Sequence, residues 1–254
     1  MGARRFRGFT LIELLVVMTI ITVLAGMILA VVRRARQQSW KMVCMSQMKM
    51  IGNSVLMYAE DYDGWVPAAH NYPDEPWWTS ILAGGYLGTT SKEILVCPVW
   101  PPYRYEEGND LYTYGVDCQG GLGRQGFIWG NRNEYAWQGC LAGMVRYSDD
   151  WKWVYTRITR IPYKWAWGWI FDTVYKSDGP VAEHRGKQWH AYQIRIGYEP
   201  AQPFGLHARH IGGTSYFVNC WFADGHVSSL DEESRRRMIG YYPVISPDGC
   251  RYVY

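Results

Sequence analysis

The chain has 254 residues, enough for a large domain with an apolar core, and this length excludes a short disulfide-stapled peptide. Lys and Arg number 26 against 23 Asp and Glu, and no basic run exceeds three residues, so the sequence lacks the basic footprint of a nucleic-acid-binding protein and no nucleic-acid partner is expected. Aromatic residues make up 16% of the chain and charged residues only 19%, a composition that excludes an intrinsically disordered chain.

The distribution of proline divides the chain into two parts. All twelve prolines lie at or beyond Pro67, and residues 1–66 hold only five glycines, so that stretch can form one helix. After residue 64, Gly and Pro recur every few residues, which is typical of short strands and turns. The sequence therefore predicts the α+β class, with a helical stem followed by a β-rich head at residues 63–254.

A long apolar run opens the stem. Residues 9–32 contain one charged side chain, Glu13, and as a helix this run would be about 36 Å long, enough to cross a bilayer core of about 30 Å. A conventional secretory signal has a shorter apolar region, about 7–15 residues, and a small-residue cleavage site that is missing here. The sequence therefore predicts a membrane-spanning segment.

The residues around the start of this run are more specific than its hydropathy. Three arginines within residues 4–7 precede Gly8 and Phe9, and Glu13 follows five residues after the glycine. This order resembles the leader of type IV pilins and type II secretion pseudopilins. The resemblance implies that residues 1–8 are a leader peptide, that prepilin peptidase cuts between Gly8 and Phe9, and that the new N-terminal Phe9 is methylated. An ordinary uncleaved anchor is the alternative, but it does not explain an acid in the apolar run.

The same resemblance implies a structural protein rather than an enzyme. The subunit would wait in the cytoplasmic membrane, then join a homopolymeric extracytoplasmic filament built by a pilus or type II secretion machinery. Glu13 would pair with the amine of Phe9 on a neighbouring subunit and so direct assembly. Removal of the three leader arginines would leave 23 basic and 23 acidic residues, and near-zero net charge favours self-association.

The second half of the stem, residues 33–62, is predicted to be an amphipathic helix. Apolar residues recur there at spacings of three and four, which places them on one helical stripe: Trp40, Cys44, Met48, Ile51, Val55, Tyr58 and Tyr62. Gly64 and Pro67 then predict the end of the helix. The resemblance implies a pilin fold, in which this half packs on an antiparallel β head.

A second set of short segments resembles a pseudopilin-like group with a C-terminal H-x9-DG element. These segments are Cys44–Gly52, Asp61–Pro67, Cys97-Pro98, Tyr114-Gly115, Phe171-Asp172, Arg209-His210 and Asp224–Val227. Thirteen residues separate His210 from Asp224, rather than nine. The pattern predicts a hairpin, with strands at 219–223 and 226–230 joined at Asp224-Gly225, and favours an aspartate that caps its own turn over a catalytic one. His226 opens the second strand.

Cysteine and histidine raise the question of disulfides and metals. The six cysteines, an even number in a head expected outside the cytoplasm, suggest disulfides: Cys44, Cys97, Cys118, Cys140, Cys220 and Cys250. Fifteen complete pairings exist; Cys97 is a first candidate to join Cys44, and buried free thiols are the alternative. No zinc-binding spacing links His184, His190, His207, His210 and His226, so no metal or other cofactor is expected. A fragment of a calcium-loop pattern at Asp61–Gly64 leaves calcium open.

The sequence also allows a second class of function. The chain could be a membrane-anchored exported binding protein or enzyme whose aromatic head binds glycans or peptides. The tryptophans that could stack on sugars are Trp77, Trp78, Trp151, Trp153, Trp165, Trp167 and Trp169. Aromatic side chains more often pack a core or an interface, and the sequence has no nucleophile elbow or nucleotide-binding motif, so the filament subunit is preferred.

Overall fold

The fold is described from a computed structural model of the chain. The residues that it describes are 9–67, 78–88, 92–106, 112–117, 145–147, 154–160, 164, 168–175, 177, 182–188, 191–192, 204–212, 215–234, 244–245 and 252–253. The helices are α1 (Leu11–Asp61) and α2 (Trp78–Gly85), with short 3-10 turns at Lys92–Leu95, Ile158–Arg160 and Ala182–His184. The strands are β1 (Gly115–Asp117), β2 (Val145–Tyr147), β3 (Val154–Thr156), β4 (Gly168–Phe171), β5 (Thr173–Tyr175), β6 (Ala191–Tyr192), β7 (Phe204–His207), β8 (His210–Gly212), β9 (Ser215–Phe222), β10 (Val227–Leu230), β11 (Val244–Ile245) and β12 (Tyr252–Val253).

Helix α1 forms the stem, and its ends follow from local chemistry. It has 51 residues and is therefore about 76 Å long. It begins two residues after Phe9, because Thr10 is extended and caps the first turn. It ends one residue before Tyr62, and Gly64, whose φ of +85° suits glycine, donates its N–H to the Ala59 carbonyl at 2.6 Å.

Within its described residues, the head has two larger sheets and one strand pair. The first has the order β10-β9-β4-β1-β6 with β8 also paired to β9, the second has the order β12-β11-β7-β5, and β2 pairs with β3. Most neighbours are antiparallel, so the α+β layout predicted from the sequence is confirmed, but β1 with β6 and β11 with β7 are parallel. Strand β9 pairs with three strands of the first sheet, β10, β4 and β8.

The head covers one face of the second half of α1. The predicted stripe is confirmed at its centre, where Cys44, Met48, Ile51 and Val55 have no exposed surface. The prediction was wrong at the ends, since Trp40 is 37% exposed and Tyr62 is 51% exposed. At 3.6 residues per turn the seven positions stay within about 80° of one another around the helix axis, so the stripe does not turn away from the head. Tyr62 is exposed at the C-cap, one residue beyond the last helical residue, and Trp40 lies one turn before Cys44, the first buried residue of α1.

Gly52 allows the closest approach between stem and head. A β-carbon at this position would overlap the indole of Trp221 on β9. Trp221 is fully buried and packs edge-to-face on Trp169, with ring centroids 6.3 Å apart. The missing side chain of Gly52 therefore creates the space in which the central tryptophan of the head lies against the stem.

Candidate functional site

The start of α1 is the first candidate site. The Glu13 carboxylate accepts hydrogen bonds from the Thr10 N–H and hydroxyl, each at 2.8 Å, while the Glu13 N–H donates to the Thr10 hydroxyl at 3.2 Å. This reciprocal pair is a capping box, which satisfies backbone N–H groups at the helix start. The Phe9 side chain is 74% exposed, and Gly8 with the rest of the leader lies outside the described residues.

The first half of α1 offers an uncovered apolar surface. None of residues 9–32 is buried by the chain itself, and their large side chains are each exposed by 44% or more. In the part of the chain that the structure describes, α1 is the one helix long and apolar enough to cross a membrane. An apolar surface of this extent requires a lipid or protein environment.

A buried cluster at the junction of stem and head is the second candidate site. The Cys44 and Cys97 sulfurs and the His210 Nε2 all lie within 4.8 Å of one another, and each residue is at most 2% exposed. Cys44 comes from α1, Cys97 from the turn after Lys92–Leu95, and His210 from the first residue of β8. The Cys97 sulfur is 3.8 Å from His210 Nε2. The cluster therefore joins the stem to two separate segments of the head.

Ionic groups surround the histidine side of this cluster. The Asp172 Oδ2 atom lies 3.3 Å from His210 Nε2 and accepts the Asn219 N–H at 2.7 Å. The Asp172 Oδ1 atom is 3.8 Å from the Nε of Arg209, and the Arg209 Nη2 donates to the Thr173 carbonyl. Asp172 and Arg209 are almost fully buried, so each charge depends on its partners in place of water.

This environment shifts the pKa values of the Cys44 and Cys97 thiols in opposite directions. Burial opposes ionisation at Cys97, but hydrogen bonds from Cys44 and His210 outweigh burial and lower the pKa of Cys97 to about 5. Burial raises the pKa of Cys44 far above its usual range. At His210 burial favours the neutral ring, yet the Asp172 carboxylate raises the pKa of His210 to about 9. The directions of these shifts favour ionisation of the Cys97 thiol and protonation of the His210 ring, and they oppose ionisation of Cys44.

Polar contacts extend the junction on both sides of the cluster. The Tyr114 hydroxyl donates to the Gln47 side chain at 2.9 Å, and Gln47 in turn donates to the Glu93 carbonyl at 3.3 Å. The buried Gln188 side chain binds the backbone of Cys97, accepting its N–H at 3.1 Å and donating to its carbonyl at 2.8 Å. Cys97 is thus fixed through its backbone as well as its sulfur.

The β9–β10 hairpin has the predicted turn and touches the stem. The Asp224 Oδ1 atom accepts the backbone N–H of His226 at 3.0 Å and lies 2.6 Å from its ring Nδ1, so the aspartate caps its own turn. Partial burial raises the pKa of Asp224, but the His226 hydrogen bonds outweigh burial and lower it overall. Gly225 has a φ of +90°, and its carbonyl accepts the Lys49 ammonium of α1. His210 lies in the buried cluster and not with this turn.

The other candidate residues are dispersed. His184 contacts the Tyr112 hydroxyl, His207 packs edge-to-face on Trp100, and His190 lies outside the described residues. Among described residues, the one group with three closely placed metal-ligand atoms is Cys44, Cys97 and His210, which no short spacing in the sequence reveals. The Asp61 carboxylate accepts the Tyr86 hydroxyl at 2.9 Å, and Asp63 pairs with Arg157, so neighbouring side chains engage both acids of the calcium-loop fragment.

The structure describes only some of the tryptophan and cysteine side chains named in the sequence analysis. Trp169 is 2% exposed, so its ring is a core element and not a surface for glycans. The side chains of Trp77, Trp78, Trp151, Trp153, Trp165 and Trp167 lie outside the described residues, as do Cys118, Cys140 and Cys250. Cys44, Cys97 and Cys220 are thiols in this structure.

Sequence reasoning missed the roles of Asp172 and Arg209. Both stand in the short segments Phe171-Asp172 and Arg209-His210, but nothing in their spacing shows that they meet. They are 37 positions apart: Asp172 lies between β4 and β5, and Arg209 lies between β7 and β8. They meet because β5 pairs with β7 in one sheet, while β4 and β8 both pair with β9 in the other. An acid and an arginine in otherwise apolar strand ends are the available signal, since buried charges require partners.

The stem and the head together define an α+β protein whose N-terminal half-helix is apolar, uncovered and long enough to cross a membrane. The family model for the prokaryotic N-terminal methylation motif matches residues 3–29. This motif and the long apolar helix fit the type IV pilin and pseudopilin family, and they point to a structural subunit processed by prepilin peptidase. Comparisons with curated proteins and with solved structures gave no match.

Proposed function

We propose that the chain is a subunit cut by prepilin peptidase between Gly8 and Phe9 that polymerises through α1 into a helical extracytoplasmic filament. The observation that carries this proposal is the methylation motif at residues 3–29, placed at the start of a helix whose first half the chain leaves uncovered. An anchor alone explains the apolar surface but gives no reason for the motif.

The uncovered half of α1 suits two successive environments. In the cytoplasmic membrane, lipid would cover residues 9–32 of the precursor, and every backbone group of the helix is satisfied internally. In a filament the same surface would pack against the stems of neighbouring copies. Pilus or secretion machinery would move the subunit between these environments, with the head at 63–254 on the outer side.

Glu13 gives the assembly its register in this proposal. A carboxylate in a membrane helix costs about 2.5–3.5 kcal/mol on insertion scales. Hydrogen bonds from Thr10 satisfy one of its oxygens, but among the described residues no cation pairs with its negative charge. Cleavage would create a cation at the Phe9 amine, which methylation leaves charged, and the amine of a neighbouring copy could then reach Glu13 in an apolar core where the attraction is strong.

The test uses the two glycines of the leader. Gly8→Leu places a bulky residue at the junction, whereas Gly2→Leu makes the same substitution six residues earlier in the leader and serves as the matched control. In a host with prepilin peptidase, wild type and Gly2→Leu should yield protein that begins at a methylated Phe9 by intact mass. Gly8→Leu should remain full length in the membrane. Assembled filaments whose subunits begin at Met1 or Ala3 would refute the proposal.

No specific observation favours the glycan-binding or enzymatic alternative. Cys97, His210 and Asp172 resemble a nucleophile, base and carboxylate in chemistry, but a nucleophile must reach its substrate. All three side chains are buried under the stem and the first sheet. Their position indicates a structural role at the junction.

A further inference from the structure

We propose that Cys44 and Cys97 form a disulfide that ties the stem to the head. The two sulfurs already lie within 4.8 Å of each other in the fully packed junction. The proposal rests on the proposed function in one respect, because export places the head in an oxidising compartment where disulfides persist.

The placement of Cys220 separates this pair from the third described cysteine. Cys220 and Trp221 are successive residues of β9, so their side chains point to opposite faces of the sheet. Trp221 faces the stem and belongs to the core that contains Cys44 and Cys97, whereas Cys220 packs in a second core with Phe171 and Leu206. Of the described cysteines, Cys44 and Cys97 are therefore the pair that can bond without repacking the sheet.

The surroundings favour a disulfide over a metal ion at the same atoms. A metal would need His210 Nε2 as a ligand, but this nitrogen faces the Asp172 carboxylate at 3.3 Å. Ligation would replace that ion pair and leave Arg209, at 3.8 Å, as the remaining cation beside the buried carboxylate among the described residues, which is costly. Disulfide formation removes the ionisable Cys97 thiol from beside His210, but it leaves the Asp172 carboxylate with both His210 and Arg209.

The reaction balances with an external disulfide donor. The two thiols lose two protons and two electrons as the Cys44–Cys97 bond forms, and the donor's own S–S bond breaks to give two thiols. The donor is a small-molecule disulfide or a thiol–disulfide oxidoreductase. Both sulfurs are without exposed surface, so exchange would take place before the head closes on α1, and docking would then shield the bond.

Such a bond would hold the junction when the stem is pulled from the membrane. It would close a loop of residues 44–97, and closing a loop of this length lowers the population of unfolded chain by on the order of a thousandfold. The packing of Trp221 on Gly52 would be held by a covalent link a few turns away on the same helix.

Peptide mapping of the full-length protein tests the link directly. Protein extracted from membranes in detergent is acid-quenched, alkylated without reductant and digested with trypsin. The six cysteines fall in six different tryptic peptides, so each pairing has its own mass; Cys44 lies in 42–49 and Cys97 in 93–104. We expect 42–49 linked to 93–104 in wild type and in the matched control Cys220→Ser, and no such link in Cys44→Ser.

Three results would overturn the inference. One is alkylation of both cysteines before reduction, the second is a link from either cysteine to another position, and the third is a stoichiometric metal ion that is lost in Cys44→Ser. Because serine at a buried site can unfold the head, proteolysis of wild type with and without reductant is a second measurement, and reductant should accelerate it by as much as about a thousandfold. An unchanged rate would also count against the link.

Purified protein separates this inference from the proposed function. If the precursor is neither cut nor exported, oxidised glutathione added to the refolding full-length chain should still form the 42–49 to 93–104 link. In that case the filament proposal fails alone. Filaments built from subunits without the link would leave the filament proposal standing and remove the disulfide.

Discussion

The two halves of α1 are parts of one continuous helix, yet they meet different surroundings. Residues 9–32 have no buried member, whereas the second half buries seven residues under the head. Two glycines show the difference most simply: Gly26 has nothing within 4 Å of where a β-carbon would stand, and the space beside Gly52 is filled by Trp221. The head covers one face of the second half, whereas the first half is left uncovered by the described residues of the chain.

The largest effect should come from changing Glu13, the one charge in the uncovered half. Glu13→Leu should insert in the membrane and be processed at least in part, yet form no normal filaments, because the partner of the Phe9 amine is gone. Glu13→Asp keeps the charge on a shorter arm and should retain some assembly. Electron microscopy of shear fractions, with immunoblots of the membrane, measures both stages.

Glu13→Gln separates the two roles that the structure gives this side chain. Glutamine can maintain the capping box with Thr10 but carries no charge. If pairing with the amine directs assembly, Gln should fail as Leu does, while Thr10→Ala should assemble. Glu60→Leu, which removes an exposed acid near the other end of α1, is the matched control and should form filaments. Filaments of normal number and length from Glu13→Leu would end the pairing role.

At the junction between the second half of α1 and the head, replacing the buried Asp172 carboxylate should reduce stability most. Asp172→Ala leaves Arg209 and His210 as buried cations without their counter-ion, which should cost about 3–5 kcal/mol of head stability. The control is Asp63→Ala, which removes an acid from a surface pair with Arg157 and should cost about 1 kcal/mol or less. Urea unfolding of the full chain in mild detergent, followed by tryptophan fluorescence, measures the difference. Equal costs would contradict the buried network.

The two glycines provide the next test, and they should respond with opposite sign. Alanine is the better helix former by about 0.5–1 kcal/mol, so Gly26→Ala should leave the subunit as stable as wild type or slightly more so. Gly52→Ala should instead destabilise the docked head by about 1–3 kcal/mol, because its methyl group overlaps Trp221. Parallel unfolding curves for the two variants measure this. A stabilised Gly52→Ala chain would mean that Trp221 does not pack there.

The smallest effect is expected at the hairpin turn, where it should depend on pH. Hydrogen bonds from His226 lower the pKa of Asp224 in the folded state, outweighing partial burial. The resulting stabilisation is present above the ordinary Asp pKa of about 3.9 and is lost as pH falls through the lower folded value. Asp224→Ala should therefore cost about 0.5–1 kcal/mol near neutral pH and progressively less in acid. A pH-independent cost would show that the carboxylate charge is irrelevant to the turn.

Sequence reasoning reached the stem and the hairpin because their signals are local. The apolar run, the central stripe from Cys44 to Val55 and the Asp224-Gly225 turn are all read from residues a few positions apart. The α+β layout follows from the change in Gly and Pro content. The start of α1 was misplaced by two residues because Thr10 acts as the cap, a choice between neighbouring residues that composition does not decide.

The cluster at the junction needed the structure. Cys44, Cys97, Asp172 and His210 come from four separate segments, and only sheet order and helix packing bring them together. The short sequence segments that contain these residues show which functional groups are present, but not how far apart they lie in the folded chain. The parallel pairing of β1 with β6 was missed for the same reason, since strands of two or three residues have too little pattern to give a partner or a direction.

Imaging of isolated filaments at a resolution that shows side chains tests the central claim most directly, that the uncovered half of α1 is completed by other copies of the chain. The account predicts filaments whose core consists of bundled segments 9–32, with heads outside. It predicts density that begins at Phe9, whose amine lies beside the Glu13 carboxylate of a neighbouring subunit. Filaments in which residues 9–32 make no contact with other stems, or in which residues 1–8 are still attached, would contradict it.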